Sequence, residues 1–112
     1  MKLKTVADLK RTIKPGMKLI HTARQERVAD YDGNTTLTDV AIPPKLTGKR
    51  TVTKVDTTGF YMSKTPEDGK HGSFLGFPKA KDFSVQDEST FTITDHDKDG
   101  KLWLSMTYQI IT

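Results

Sequence analysis

The chain has 112 residues, no cysteine, 34% hydrophobic residues and 18 Lys+Arg against 14 Asp+Glu. That length holds one domain, residues 1–112, and the lack of cysteine removes disulfide scaffolds, thiolate zinc sites and cysteine nucleophiles. No apolar run approaches the ~20 residues of a membrane span, and Met1-Lys2-Leu3-Lys4 leads into polar residues rather than an apolar leader, so a cytoplasmic protein without membrane contact is expected.

Thr5-Val6-Ala7-Asp8 has the form of a capping box, in which the Thr5 hydroxyl and the Asp8 carboxylate each accept from the other's backbone amide. Val6, Leu9 and Ile13 then make one apolar stripe, and Lys14-Pro15-Gly16 stops the helix. The spacing predicts a helix over about 5–14, too short to stand alone and therefore docked on something. Met17 to Ala23 reads as the first strand. Residues 24–48 read as a variable loop or hairpin, with Asp32-Gly33-Asn34 closing Arg27–Tyr31 on Thr35–Val40 and Pro43-Pro44 forcing an extended stretch.

Lys49–Val55 and Phe60–Lys64 form a clearer hairpin about Asp56-Thr57-Thr58-Gly59. A polar loop, residues 65–72, leads to the apolar cluster Ser73-Phe74-Leu75-Gly76-Phe77-Pro78. A helical turn is expected near Pro78-Lys79-Ala80-Lys81, and Phe83 and Val85 carry the apolar content on. The C-terminal hairpin, about 90–111, is best defined. Leu102, Leu104, Met106, Tyr108 and Ile110 fall on one face and Trp103, Ser105, Thr107 and Gln109 on the other. Seventeen threonines suit water-facing strand positions. The expected fold is α+β, mainly β: a short N-terminal helix packed on a five- or six-stranded antiparallel sheet or small SH3-like barrel, whose closure would remove open edges.

Catalytic chemistry finds little footing. The serines lack a G-x-S-x-G setting, no glycine run matches a phosphate-binding loop, and paired carboxylates occur only in turn-like segments, so no enzyme and no cofactor are expected. Asp95-His96-Asp97-Lys98-Asp99-Gly100 opens like a calcium loop, but the twelfth position is Met106 where a bidentate Glu belongs, and the flanks are strands. An ordinary hairpin turn accounts for it, and no metal site is expected. His21, His71 and His96 share no ligand spacing and read as exposed. Asn34-Thr35-Thr36 is formally a glycosylation sequon, and with no leader expected it is expected to be idle.

Charge is more informative by position than in total. Residues 1–54 carry twelve Lys/Arg and five Asp/Glu, a net of +7, while residues 55–112 carry six and nine, a net of −3. A basic binding face would draw on Lys10, Arg11, Lys14, Lys18, Arg24, Arg27, Lys45, Lys49, Arg50 and Lys54, the density that phosphate contacts need. Tyr61 and Trp103, opposite the core-facing positions of their strands, could stack bases, although Trp103 is expected beneath the helix stripe. An acidic face would draw on Asp82, Asp87, Glu88, Asp95, Asp97 and Asp99.

Several segments together carry a resemblance. They are Thr5-Val6-Ala7-Asp8-Leu9-Lys10, Lys14-Pro15-Gly16-Met17-Lys18-Leu19, Arg50-Thr51-Val52-Thr53-Lys54-Val55 with Thr58-Gly59-Phe60-Tyr61, Ser73-Phe74-Leu75-Gly76-Phe77-Pro78-Lys79-Ala80 and Leu104-Ser105-Met106-Thr107-Tyr108-Gln109-Ile110-Ile111. Over about two-thirds of its length the chain resembles small proteins encoded by phages and mobile elements of low-GC Gram-positive bacteria. It departs from them in residues 24–48 and at Gly76, where a polar or acidic residue would be expected. The resemblance transfers no functional residues. It implies a non-catalytic protein that docks on a host nucleic-acid-processing or defence complex, a host protein or ribonucleoprotein, with an anti-CRISPR inhibitor as the sharpest form. The alternative read from the charges is a direct DNA- or RNA-binding module. A small calcium-binding or enzymatic domain is the remaining reading.

Overall fold

The computed structural model describes residues 3–111. Helix α1 spans Val6–Thr12 and carries the expected capping box. Asp8 donates its amide to the Thr5 hydroxyl at 3.2 Å, and the Asp8 carboxylate accepts from the amides of Thr5 at 3.1 Å and Lys4 at 3.0 Å. These amides, Thr5's foremost, hold the carboxyl below the usual carboxylate range. The helix ends at Thr12, short of Lys14, because the residue before Pro15 is disfavoured in helical geometry. Its stripe docks Leu9 and Ile13, both nearly inaccessible, onto the sheet.

Eight strands follow: β1 Lys18–Ala29, β2 Thr35–Asp39, β3 Lys49–Val55, β4 Gly59–Ser63, β5 Ser73–Gly76, β6 Phe83–Asp87, β7 Thr90–His96 and β8 Leu102–Ile111. Short helical turns occupy Pro44–Leu46, Pro66–Asp68 and Ala80–Asp82. The hairpins share one device, an aspartate whose carboxylate accepts the amides of its own turn. Asp30 takes those of Asp32 and Asn34, Asp56 those of Thr58 and Gly59, Asp87 that of Ser89, and Asp97 those of Asp99 and Lys101. This is what the calcium-like segment does in the fold.

All strands pair antiparallel in one sheet, ordered β5-β4-β3-β1-β8-β7-β6, with β2 added to β1. One edge of β1 pairs with β8 along most of its length. Its other edge is shared: Lys18–Ile20 pair with β3 and Gln25–Ala29 with β2. The expected loop or hairpin over 24–48 is thus a hairpin, built on a single long strand that continues from the first one.

Two expectations are corrected. The sheet has eight strands rather than five or six, and it is not closed into a barrel. The end strands β5 and β6 do not pair with each other. β5 has only four residues, and Pro78 followed by a helical turn takes the chain across to β6 without continuing the ladder. The ends still curl around one core, since Leu75 on β5 and Phe83 and Val85 on β6 pack against the same cluster. Its centre is Leu9, Ile13, Leu19, Val52, Phe60, Met62 and Phe91, with Phe91 stacked on Tyr108 at 5.8 Å. No helix among the described residues is long and apolar enough to cross a membrane.

Candidate functional site

Residues opposite one another across a ladder share a face. Leu19, Val52, Phe60 and Met62 face the core, so the alternate positions define the outer face. There Ile20 pairs with Lys49, Lys18 with Thr51, Thr51 with Ser63, Lys54 with Tyr61 and Tyr61 with Phe74. Lys54 reaches this face only because the β3–β4 register shifts between Val52 and Lys54. Without that bulge, strict alternation would turn its ammonium into the core.

The aromatic end of this surface is packed from three sides. The Tyr61 ring lies 5.0 Å from Phe74 and 5.6 Å from His71, and Lys54 Nζ is 5.9 Å from its centroid. Phe74 is 47% exposed, leaving part of its ring open to a ligand. The loop before β5 is fixed here by the Thr53 hydroxyl donating to the His71 carbonyl at 2.7 Å. Lys18, Lys49 and Lys54 are exposed, and no carboxylate occupies the paired positions between Lys18 and Phe74. From the sequence Phe74 reads only as part of an apolar cluster and His71 only as an exposed histidine, neither as a binding residue. The alternation Ser73-Phe74-Leu75 hints that Phe74 opposes Leu75, but only the β4–β5 register brings it to Tyr61.

The remaining basic residues do not join this row. Lys10, Arg11 and Lys14 belong to α1 and its exit, on the core side of the sheet; Arg11 pairs with Asp8, and Lys10 Nζ sits 5.6 Å from the Phe77 ring. Arg24 is tied to Glu26 at 3.0 Å. Arg27 donates to the Thr35 hydroxyl and to the Leu102 carbonyl. Lys45 is exposed on the turn before β3. Arg50 is a correction: it is 2% exposed and faces the core opposite Leu19, so it belongs to no basic surface.

Trp103 is also corrected. It lies on the outer face, as alternation predicts, but at 38% exposure and not beneath α1, which covers the other side. Leu104 pairs with Glu26, near the far end of β1, whereas Lys54 and Tyr61 pair beyond its start, so Trp103 and Tyr61 stand at opposite ends of the sheet.

The acidic residues form no single face. Asp87 and Glu88 sit before β7 and Asp97 and Asp99 after it, separated by a seven-residue strand of about 23 Å. Asp95 is exposed near the end of that strand. Asp82 turns toward His96, with Oδ1 2.8 Å from Nδ1 though not aligned as a hydrogen bond, and accepts from the Thr94 hydroxyl at 3.4 Å. Both side chains line an open cleft of about 570 Å³ between the two ends of the sheet, with Leu75, Phe77, Ile93 and Met106 as its apolar part. Lys79, Lys81 and Lys98 balance its carboxylates, so the cleft favours neither sign of ligand.

His21 corrects the expectation of three exposed histidines. It is 2% exposed, its ring 4.6 Å from that of Tyr108, and neither ring nitrogen has a hydrogen-bond partner. Burial, helped by Arg24 and Arg50, pushes its pKa down to about 4. The ring is therefore neutral in the fold while the unfolded chain takes up a proton near pH 6.5. The contribution of His21 to stability is fully present above about pH 6.5 and is lost as pH falls toward 4, on the order of 2–3 kcal/mol. Urea unfolding at pH 7 and at pH 4.5 should show this loss in the parent protein and a smaller one in His21→Gln. Equal losses would contradict the assignment.

No protein-family model, no curated protein and no solved structure matches this chain.

Proposed function

We propose that the protein is a non-catalytic module that binds single-stranded nucleic acid on the outer face of β1, β3, β4 and β5. The observation that carries this reading is the row of Lys18, Lys49 and Lys54 beside the Tyr61–Phe74 pair, without a carboxylate among the paired positions. Ammonium groups along a strand face neutralise successive phosphates, and exposed rings stack bases of any sequence. The open face favours single strands. Stacking needs bases free of a duplex, and the one α-helix among the described residues packs on the core side, unable to enter a major groove.

Fluorescence anisotropy with a labelled 12-nucleotide oligothymidine in low salt tests the stacking part. Tyr61→Leu and Phe74→Ala are each expected to weaken binding about 5- to 150-fold, from about 1–3 kcal/mol per stacked base. Unchanged affinity in both variants would exclude the aromatic contribution.

A second reading keeps the docking role on a host nucleic-acid-processing or defence complex that the phage-type resemblance implies, the anti-CRISPR form included. Trp103 favours it, being exposed together with Val28 and Tyr31 of the β1–β2 hairpin at the end of the sheet away from the lysine row. On that reading, Trp103→Ala abolishes capture of the protein partner and leaves oligonucleotide binding intact.

A further inference from the structure

Among the described residues no carboxylate forms an ion pair with Arg50, whose side chain lies on the core side of β1 and β3. Arg50 is 2% exposed, and its Nε and Nη2 have no hydrogen-bond partner. Beside it lie the Tyr108 ring, its centroid 5.9 Å from the guanidinium carbon, and His21, whose ring is 4.6 Å from that of Tyr108 and which is also 2% exposed, with both nitrogens unpartnered. Arg24, on the same face of β1, adds a second positive charge and is paired with the Glu26 carboxylate. Burying an unpaired guanidinium is strongly unfavourable, and buried polar atoms without partners are rare.

The unmet atoms have a defined shape. Nε–H and Nη2–H lie on one edge of the guanidinium and form the two-pronged fork that fits the paired oxygens of a carboxylate or phosphate. Neutral His21 can donate one further hydrogen bond from whichever nitrogen carries its proton. The sheet is interrupted beside these residues. β1 pairs with β3 only to Ile20 and with β2 only from Gln25, and its register with β8 shifts between His21 and Ala23. A break in the ladder is where local opening is least costly.

We propose that Arg50 and His21 form a receptor for a small oxyanion, a carboxylate or a phosphate, admitted at the break in β1 and held by the Nε–Nη2 fork. The site is on the core side of the sheet and does not depend on nucleic-acid binding to the outer face.

Proton–nitrogen NMR of the arginine side chains tests it directly. A buried Arg50 Nε–H gives a protected signal, which should shift saturably with inorganic phosphate or with acetate in the millimolar range, at ionic strength held constant with chloride. The two arms separate a phosphate from a carboxylate ligand. His21 ring signals should move with the same midpoint. Arg50→Lys keeps the charge and loses the fork, and should lose the response. If that variant does not fold, Arg50→Met supplies the control, because an apolar side chain removes the unpaired charge. It should show no rise of thermal midpoint with phosphate, whereas the parent shows one. No saturable shift in either arm, or an equal rise in Arg50→Met from general salt stabilisation, would overturn the proposal.

Discussion

Replacing Lys18, Lys49 and Lys54 together by alanine is expected to weaken single-stranded oligonucleotide binding about 100-fold at low salt. Each phosphate contact contributes about 0.7 to the slope of log affinity against log salt on single strands, so the slope should flatten by about 2. All three side chains are exposed, and the fold should survive. Lys10, Arg11 and Lys14 changed together serve as the control. They carry the same formal charge, but on α1 and its exit on the core side, and their removal should leave the slope nearly unchanged. Anisotropy titrations at several salt concentrations measure both. Equal losses in the two triple variants would mean that net charge, rather than the lysine row, governs binding.

Phe60→Ala is expected to lower the unfolding free energy by about 3–5 kcal/mol, a large part of the 5–15 kcal/mol typical of a domain this size. Phe60 is fully buried on β4 and packs against Phe77 at 5.7 Å, on the core side of the strand that carries Tyr61 outward. Equilibrium urea unfolding gives the number. A loss below about 1 kcal/mol would show that this side of the sheet is not the core. The outer face, defined as its opposite, would then fall with it.

What sequence could show depended on how local the determinant was. The Thr5–Asp8 capping box, the aspartate turns and the alternation from Leu102 to Ile110 involve residues within a few positions of one another, and each appears in the fold as read. The strand legible from Met17 to Ala23 covers only the first half of β1, because the face of the strand reverses there. The bulge near Thr22 puts Arg24 on the core side with His21, where simple alternation sends it outward. β5 and β6 are too short to announce themselves by period. Their failure to pair, which leaves the barrel open, depends on the path of residues 77–82 rather than on any one residue.

The candidate site was half visible for the same reason. Lys18, Lys49, Lys54 and Tyr61 could be named one by one, but the β1–β3–β4–β5 register that aligns them joins residues far apart in the chain. Arg50 was grouped with Lys49 and Lys54 because charge is a reliable sign of exposure. Its cross-strand partner Leu19 decides otherwise. Trp103 was assigned to the space under the helix, since a lone amphipathic helix must cover something. It covers the opposite side, where Phe60 and Leu19 already offer the larger apolar surface.

The location of the binding surface is the central claim, and an amide NMR titration with a 12-nucleotide single strand in low salt tests it most directly. The shifts should concentrate on residues 18–20, 49–54, 61–63 and 71–74, with α1 and the Trp103 end of β8 unaffected. Absence of shifts, or shifts centred on α1 or on the β1–β2 hairpin, would contradict it.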